Sequence, residues 1–445
     1  MIPGLPIVGI LPAIRRDRVG FQIEMPRRYG PLAKLHLPWG RRRTVVLVTS
    51  PELVAELLVE REDALIKAPG LSVFGKPLFG NGLLTAERDF HKRQRRMMAP
   101  MFVQKRIAAF AEEMARRAEM ATARFRDGET LDFAEETMRV TLEIVGKTLF
   151  DAELAGDAAA VADALSECLH YIIESVQTLL PLPPSVPTPR NLRYRRAIAQ
   201  LDEIVFRMIR ERRASGRDHG DLLSMLLAAQ DEEGSGGMDD QQVRDELMTI
   251  FLAGHETTAN ALAWTFYELS LNPHVRVRLE EEMDRVLGAG SSARAPKLAD
   301  LPQMPYALAV LKEAMRMHPP AYMIGREATR DVALGGHTFG KHTIFLVNII
   351  GIHHSPKLYP DPERFEPTRF LGEAEKKLPR HAFMPFGAGS RICIGNHFAL
   401  MEGHLLLTAF ASKVRLDLAP GVRVKPEPLV TLRPKGGMPM RVRVR

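Results

Sequence analysis

The chain has 445 residues, 45% of them hydrophobic and 26% charged, a balance too apolar for disorder and a length that can bury a sizeable core. The formal charge of +7, from 61 basic against 54 acidic residues, gathers in Arg15-Arg16, Arg27-Arg28, Arg41-Arg42-Arg43 and HKRQRR at 91–96. No zinc-finger, RNA-recognition or aromatic-studded basic pattern accompanies these runs, which argues against a nucleic-acid partner. The two cysteines, Cys168 and Cys393, exclude a disulfide framework, a thiolate-rich zinc site and a Cys-ligated iron–sulfur cluster.

From the N-terminus, MIPGLPIVGILPAIRRDR is broken by prolines before any signal-peptide core develops, and no apolar run reaches membrane-spanning length. A cytoplasmic enzyme without a membrane span is the expectation. KLHLPWGRRRTVVLVTS reads as two strands around a turn, and PELVAELLVE after it as helix. From about 100 to 290 helix follows helix, interrupted at LLPLPPSVPTPR and at DEEGSGGMDD. After Pro320 the pattern changes: VALGGHTFGKHTIFLVN reads as strand, glycine turn, strand, and TLRPKGGMPMRVRVR alternates as an edge strand or hairpin. The expected architecture is a single, mainly α domain over 1–445. Its helical part runs from about 85 to 320 and from 395 to 412. A smaller β-rich region comes from 30–65, 321–350 and a C-terminal hairpin at 415–445.

Cys168, in ALSECLHYIIES, falls in an amphipathic helical pattern and reads as a core residue. Cys393 has different company. It stands in PFGAGSRICIG at 385–395, among Gly387, Gly389 and Gly395 and just before a helical stretch, NHFALMEGHLLLTAF. Glycines let the backbone approach a flat ligand, Arg391 offers a bidentate donor to a carboxylate, and a helix N-terminus favours the thiolate. The residues alone leave Cys393 open as nucleophile, single metal ligand or structural thiol.

Three further patterns stand out. AGHETT at 253–258 lies in a long helix that starts near Asp239 or Asp240 and stops at Asn272-Pro273. There Thr257 can bond back to the Ala253 carbonyl, Gly254 weakens the same turn so that a bulge can open, and Glu256 places an acid beside it. In KEAMRMHPP, Glu313 and Arg316 lie three apart on one helical face. In HKRQR, His91 and Arg95 lie one helical turn apart, with Arg93 and Arg96 expected to face solvent.

Taken together these patterns resemble the haem-thiolate monooxygenases, the cytochromes P450. Phe386, Gly387, Gly389, Arg391, Cys393 and Gly395 fit the family's F-G-x-G-x-R-x-C-x-G loop, and AGHETT its oxygen-binding groove. Glu313 and Arg316 match its E-x-x-R helix, and Phe365-Glu366-Pro367-Thr368-Arg369-Phe370 its F-x-P-x-R-F loop, which favours Arg369 over Arg364 as the third member of that ion network. The resemblance implies the cytochrome P450 fold and haem b as cofactor, with Cys393 as the axial iron ligand. By the same resemblance Pro385, Phe386, Arg391 and Ala253 border the haem, and His91, Arg95 and Arg326 hold its propionates. Glu256 and Thr257 would deliver protons to bound dioxygen. An apolar pocket lined by Phe74, Leu78, Phe79, Phe251, Tyr322 and Met323, with the LRPKGGM turn, would take a lipophilic small molecule such as a fatty acid, terpenoid or steroid. No flavin or iron–sulfur domain follows the loop, so electrons are expected from an external ferredoxin or flavodoxin with its reductase, docking on the basic face around HKRQRR. Two rival readings are a peroxide-using enzyme on the same fold and a non-catalytic haem sensor; the Glu256-Thr257 pair argues against the first. His318, His353, His354 and His397 have no ligand-like arrangement.

Overall fold

The structure, a computed structural model, describes residues 9–35, 44–153, 158–178, 182–229 and 237–445. Pro3 and Pro6, the arginine run 41–43, and most of DEEGSGG lie outside these residues. The longer helices are α1 (Arg18–Tyr29), α2 (Arg88–Met98), α3 (Ala111–Thr122), α4 (Phe133–Phe150), α5 (Ala158–Gln177), α6 (Pro189–Ser215), α7 (Asp240–Leu271), α8 (Pro273–Leu287), α9 (Pro305–Met317) and α10 (Asn396–Lys413). Strands are β1 (Leu32–Leu35), β2 (Val45–Val48), β3 (Leu65–Lys67), β4 (Thr130–Asp132), β5 (Ile324–Ala328), β6 (Val332–Leu334), β7 (His337–Phe339), β8 (Ile344–Val347), β9 (Val414–Leu418), β10 (Pro426–Pro428), β11 (Leu432–Pro434) and β12 (Pro439–Val444).

α7 is the central rod, 32 residues and about 48 Å long at 1.5 Å per residue. The Asp239 carboxylate caps it by accepting from Gln242 N at 2.7 Å, and Pro273 ends it because the ring cannot continue the hydrogen-bond ladder. Apolar residues occupy every side of it, among them Leu247, Ile250, Leu262 and Trp264, as burial on all faces requires. The expected bulge at Gly254 is absent and the helix runs unbroken. The glycine serves packing instead: a Cβ there would come within 3.0 Å of Val145 on α4.

Strands from both ends of the chain build one sheet in the order β1-β2-β8-β5-β3, with β2 and β8 parallel and the other pairs antiparallel. The β6–β7 hairpin turns at Gly335 and Gly336, both at positive φ (56° and 76°), a conformation that favours glycine. The C-terminal hairpin is β9 paired with β12, interrupted by β10–β11. A third strand, β4, joins β12 from inside the stretch expected to be all helix, because Thr130–Asp132 pairs with Pro439–Arg441 before Asp132 caps α4. The main core runs from Leu78 to Val442 in sequence. A second cluster under the sheet contains Val46, Val48, Phe345, Val347, Met384 and Ala388, which anchors the cysteine loop to the sheet by its own apolar residues.

Candidate active site

The cysteine loop is held at three points. Met384 N–H donates to His353 Nε2 at 3.0 Å, Cys393 N–H donates to the Phe386 carbonyl at 2.9 Å, and Gly389 at φ 72° lets the chain pass Leu58, whose carbonyl a Cβ would meet at 2.2 Å. Pro385 is buried and Phe386 packs against the main core. Cys393 lies deep in the protein and yet is accessible to solvent, so its accessible surface opens on an interior space. Burial pushes its thiol pKa up, outweighing the Gly395 N–H and the charge of Arg95. Against that burial the chain supplies the Gly395 N–H and the charge of Arg95, and a bound metal would add its own charge to them.

On α7 a short strip interrupts the burial: Ala253 is exposed, Gly254 and Thr257 are half-buried, and their neighbours are buried. Thr257 Oγ1 donates to Ala253 O at 2.8 Å. The structure does not leave Glu256 free beside it. The Glu256 carboxylate, 1% exposed, pairs with Arg433 Nη2 at 2.8 Å and accepts from the Thr431 hydroxyl, both from the β11 segment, while Arg433 Nη1 reaches Ser166 of α5 at 3.0 Å.

A cluster of cations faces the same interior. In the β3–β5 ladder Lys67 stands directly opposite Arg326, a like-charge pair that is unfavourable without an anion. Lys67 Nζ finds only the Leu83 and Leu84 carbonyls and Arg326 Nη1 the Gly325 carbonyl at 3.0 Å. Arg391 pairs with Glu87 and donates to Ala86 O at 2.7 Å. Burial and then the repulsion from Arg391 draw the Arg326 pKa down to about 10 and carry Lys67 well below its usual value. His91, buried beside Arg391, Lys67, Arg95 and Arg326, is held neutral, its pKa lowered to about 3 by burial first and those charges next. Four cationic groups, Lys67, Arg95, Arg326 and Arg391, gathered about the neutral His91 with Glu87 paired to Arg391, form a seat for an anion of more than one charge. A haem fits it: two propionates would answer the cations and an accessible deep thiol would face the iron.

The cytochrome P450 family profile matches residues 2–439. The chain belongs to the cytochrome P450 family. It is 38% identical over 424 residues to cyclooctat-9-en-7-ol 5-monooxygenase of Streptomyces melanosporofaciens, covering 94% of this chain and 90% of that protein. To cyclooctatin synthase of the same organism it is 36% identical over 434 residues, covering 96% and 92%. Its fold superposes on the crystal structure of the cytochrome P450DA heme domain with a TM-score of 0.88 at 27% identity, covering 100% and 97%. As a cytochrome P450 monooxygenase it uses haem, O2, a lipophilic substrate and a redox partner. No helix among the described residues is long and apolar enough to cross a membrane.

Within this cytochrome P450 the E-x-x-R pair and the later loop come together. Glu313 Oε2 accepts from Arg316 Nε at 2.7 Å, Arg369 Nε lies 3.4 Å from Glu313 Oε1, and Glu366 N–H donates to Glu313 at 2.9 Å. Arg364 pairs instead with Glu366 at 3.1 Å, and its carbonyl accepts from Arg316 at 3.4 Å. Several pocket expectations need correction. Leu78 and Phe79 have no accessible surface and belong to the core, and Phe251 is 3% exposed against Phe150, ring centroids 4.8 Å apart. Tyr322 donates its hydroxyl to Leu429 O at 2.6 Å and packs with Ile350 and Leu432 beneath α1. Met323 joins that cluster and accepts from Gln22. Phe74 alone of the first loop's three keeps partial exposure. Sequence reasoning missed Lys67, whose signal was only its place in a short strand, and left His353 as a structural or surface residue without seeing what it joins. The latter is fully buried with a pKa lowered to about 3, mainly by burial; it accepts from Met384 N while its Nδ1 lies 3.1 Å from Arg316 O, so it ties the ion network to the cysteine loop.

Proposed function

We propose that this chain hydroxylates an alicyclic terpenoid, with haem b seated between the cysteine loop and the accessible strip of α7, and Cys393 as the axial ligand. The reading is carried by the Lys67–Arg326 pair, two cations opposed across a ladder beside a deep, accessible thiol. Lys67, Arg95, Arg326 and Arg391 would hold the propionates, with His91 a neutral partner, and Pro385, Phe386 and Ala253 would border the ring. Thiolate-bound haem, when present, supplies the oxygen activation.

The chain's own part is orientation and proton supply. Thr257, its proton engaged by Ala253 O, turns lone pairs toward the chamber and can accept from an ordered water there. Glu256 can join this route through Oε2, which has no partner and could accept from a water while Oε1 stays with Arg433 and Thr431. Thr257→Ala should lower product formed per reducing equivalent by about 10²-fold, the scale of losing the group that positions a proton-delivering water. The substrate class is drawn from the relatives, one of which is named for monooxygenation of a cyclic unsaturated alcohol. Incubation with cyclic terpene alcohols, alongside fatty acids and steroids, tests it: hydroxylated terpenoid is the expected product, and exclusive turnover of fatty acid would overturn the assignment.

The electron donor we propose is an acidic ferredoxin or flavodoxin with its reductase, docking on the exposed Lys92, Arg93 and Arg96 of α2.

A further inference from the structure

Glu402 lies six residues into α10, about 9 Å along the helix from the loop that carries Cys393. It is fully buried, and neither carboxyl oxygen has a hydrogen-bond partner. The Thr258 hydroxyl of α7, next in sequence to Thr257, faces it without closing a well-formed hydrogen bond, and that hydroxyl also lacks another partner.

Among the described residues no charged group answers Glu402. On α10 itself His404 is neutral, its Nε2 3.0 Å from Met304 O and its pKa lowered to about 4 by burial. From α9, Lys312 is taken by Glu375, and Glu313 by Arg316. From α7, Glu256 pairs with Arg433; from α3, Arg117 pairs with Glu113 and Glu153. From α8 and β9, Glu280 pairs with Arg415 and Asp417 with Arg276, while Glu282 accepts from the Tyr306 and Ala307 amides. In the turns beside α10, Asp300 pairs with Arg294 and Arg106 reaches the Gly220 carbonyl. Burial therefore keeps the Glu402 carboxyl neutral, its pKa pushed up to about 8 against the pull of Thr258. A bare carboxylate in such a place carries a large desolvation penalty.

We propose that Glu402 is a redox-linked buried acid, a carboxyl group that keeps its proton at physiological pH so that the neighbouring haem site takes up an electron without like-charge repulsion, and that exchanges the proton with the redox state only in alkaline solution. The inference rests on the haem seat proposed above. In alkaline solution, where the acid has ionised, each electron passing from the external reductant to the site draws one proton from water onto a Glu402 oxygen, leaving hydroxide in the solvent.

The test is a spectroelectrochemical titration of the haem-loaded protein from neutral to alkaline pH, with infrared spectra of the same samples. The wild-type potential should be flat near neutrality and fall above about pH 8, approaching one proton per electron, and Glu402→Gln should abolish the slope. The infrared spectrum should contain the carbonyl stretch of a buried neutral carboxylic acid, shifted in D2O and missing from Glu402→Gln. Thr258→Val, which keeps the acid and removes the one group that lowers its pKa, should move the onset to higher pH. A slope retained in Glu402→Gln, or an onset unmoved in Thr258→Val should the first variant not fold, overturns the proposal. Loss of thiolate-type haem spectra in the wild type would instead overturn the haem seat itself.

Discussion

The ion network behind the cysteine loop and the acids that line α7 are both buried, but they differ in how far their partners satisfy them. Glu313 receives Arg316 and the Glu366 amide and has Arg369 nearby, and Arg316 goes on to the His353 carbonyl at 2.8 Å. Glu402, Glu256 Oε2 and Thr258 Oγ1 have no partner for the same kinds of atom. Arg369 Nε also lacks a well-formed hydrogen bond, but it faces the Glu313 carboxylate at 3.4 Å. A network closed in this way, charge against charge, fixes geometry, because any departure strands a charge. An open one leaves proton positions free to change, and it lies on the helix and the helix crossing closest to the proposed chemistry.

Breaking the closed network should have the largest effect. Glu313→Ala strands the buried Arg316 guanidinium and removes the carboxylate beside the half-buried Arg369, and a loss of about 3–5 kcal/mol is expected, read from denaturant unfolding and from the fraction of protein purified with haem. Acid should attack the same region next. His353 titrates near 3 when folded and near 6.5 when unfolded, so its contribution is complete above pH 6.5 and is lost as pH falls toward 3. His91 behaves likewise. Each should remove roughly 2–3 kcal/mol by two pH units below the unfolded value, visible as a falling thermal midpoint. A midpoint flat through that window would deny that these imidazoles are buried neutral.

The cation seat sharpens the comparison because its strain should change sign with the ligand. Lys67→Met should stabilise the haem-free protein by up to about 1 kcal/mol, by removing a like-charge cross-strand pair, and should speed haem transfer to an acceptor protein. Stabilisation of both forms would mean that no anion sits there. Smallest is the surface effect: Arg93→Glu with Arg96→Glu should slow reduction by an acidic ferredoxin several-fold at low salt, and the difference should fade as salt screens it.

What was legible in the sequence was local. The cysteine loop, the limits of α7 and the E-x-x-R spacing depend on residues within a few positions of one another, and Asp239, Pro273 and Gly389 act where they stand. Arg433 was invisible as the Glu256 partner because 177 positions separate them. Lys67 and Arg326 meet only when β3 and β5 pair. Leu78, Phe79 and Tyr322 were misplaced because an apolar side chain suits a pocket wall and a core equally, and only packing distinguishes them. Gly254 was read as a weak turn when its role is to admit Val145.

The most direct measurement is the absorption spectrum of the reduced, carbon monoxide-treated protein, taken for the wild type and for Cys393→His. A strongly red-shifted Soret band in the wild type, replaced in the variant by the shorter-wavelength band of a nitrogen-ligated haem, is the predicted result. The same band in both proteins would contradict Cys393 as the ligand.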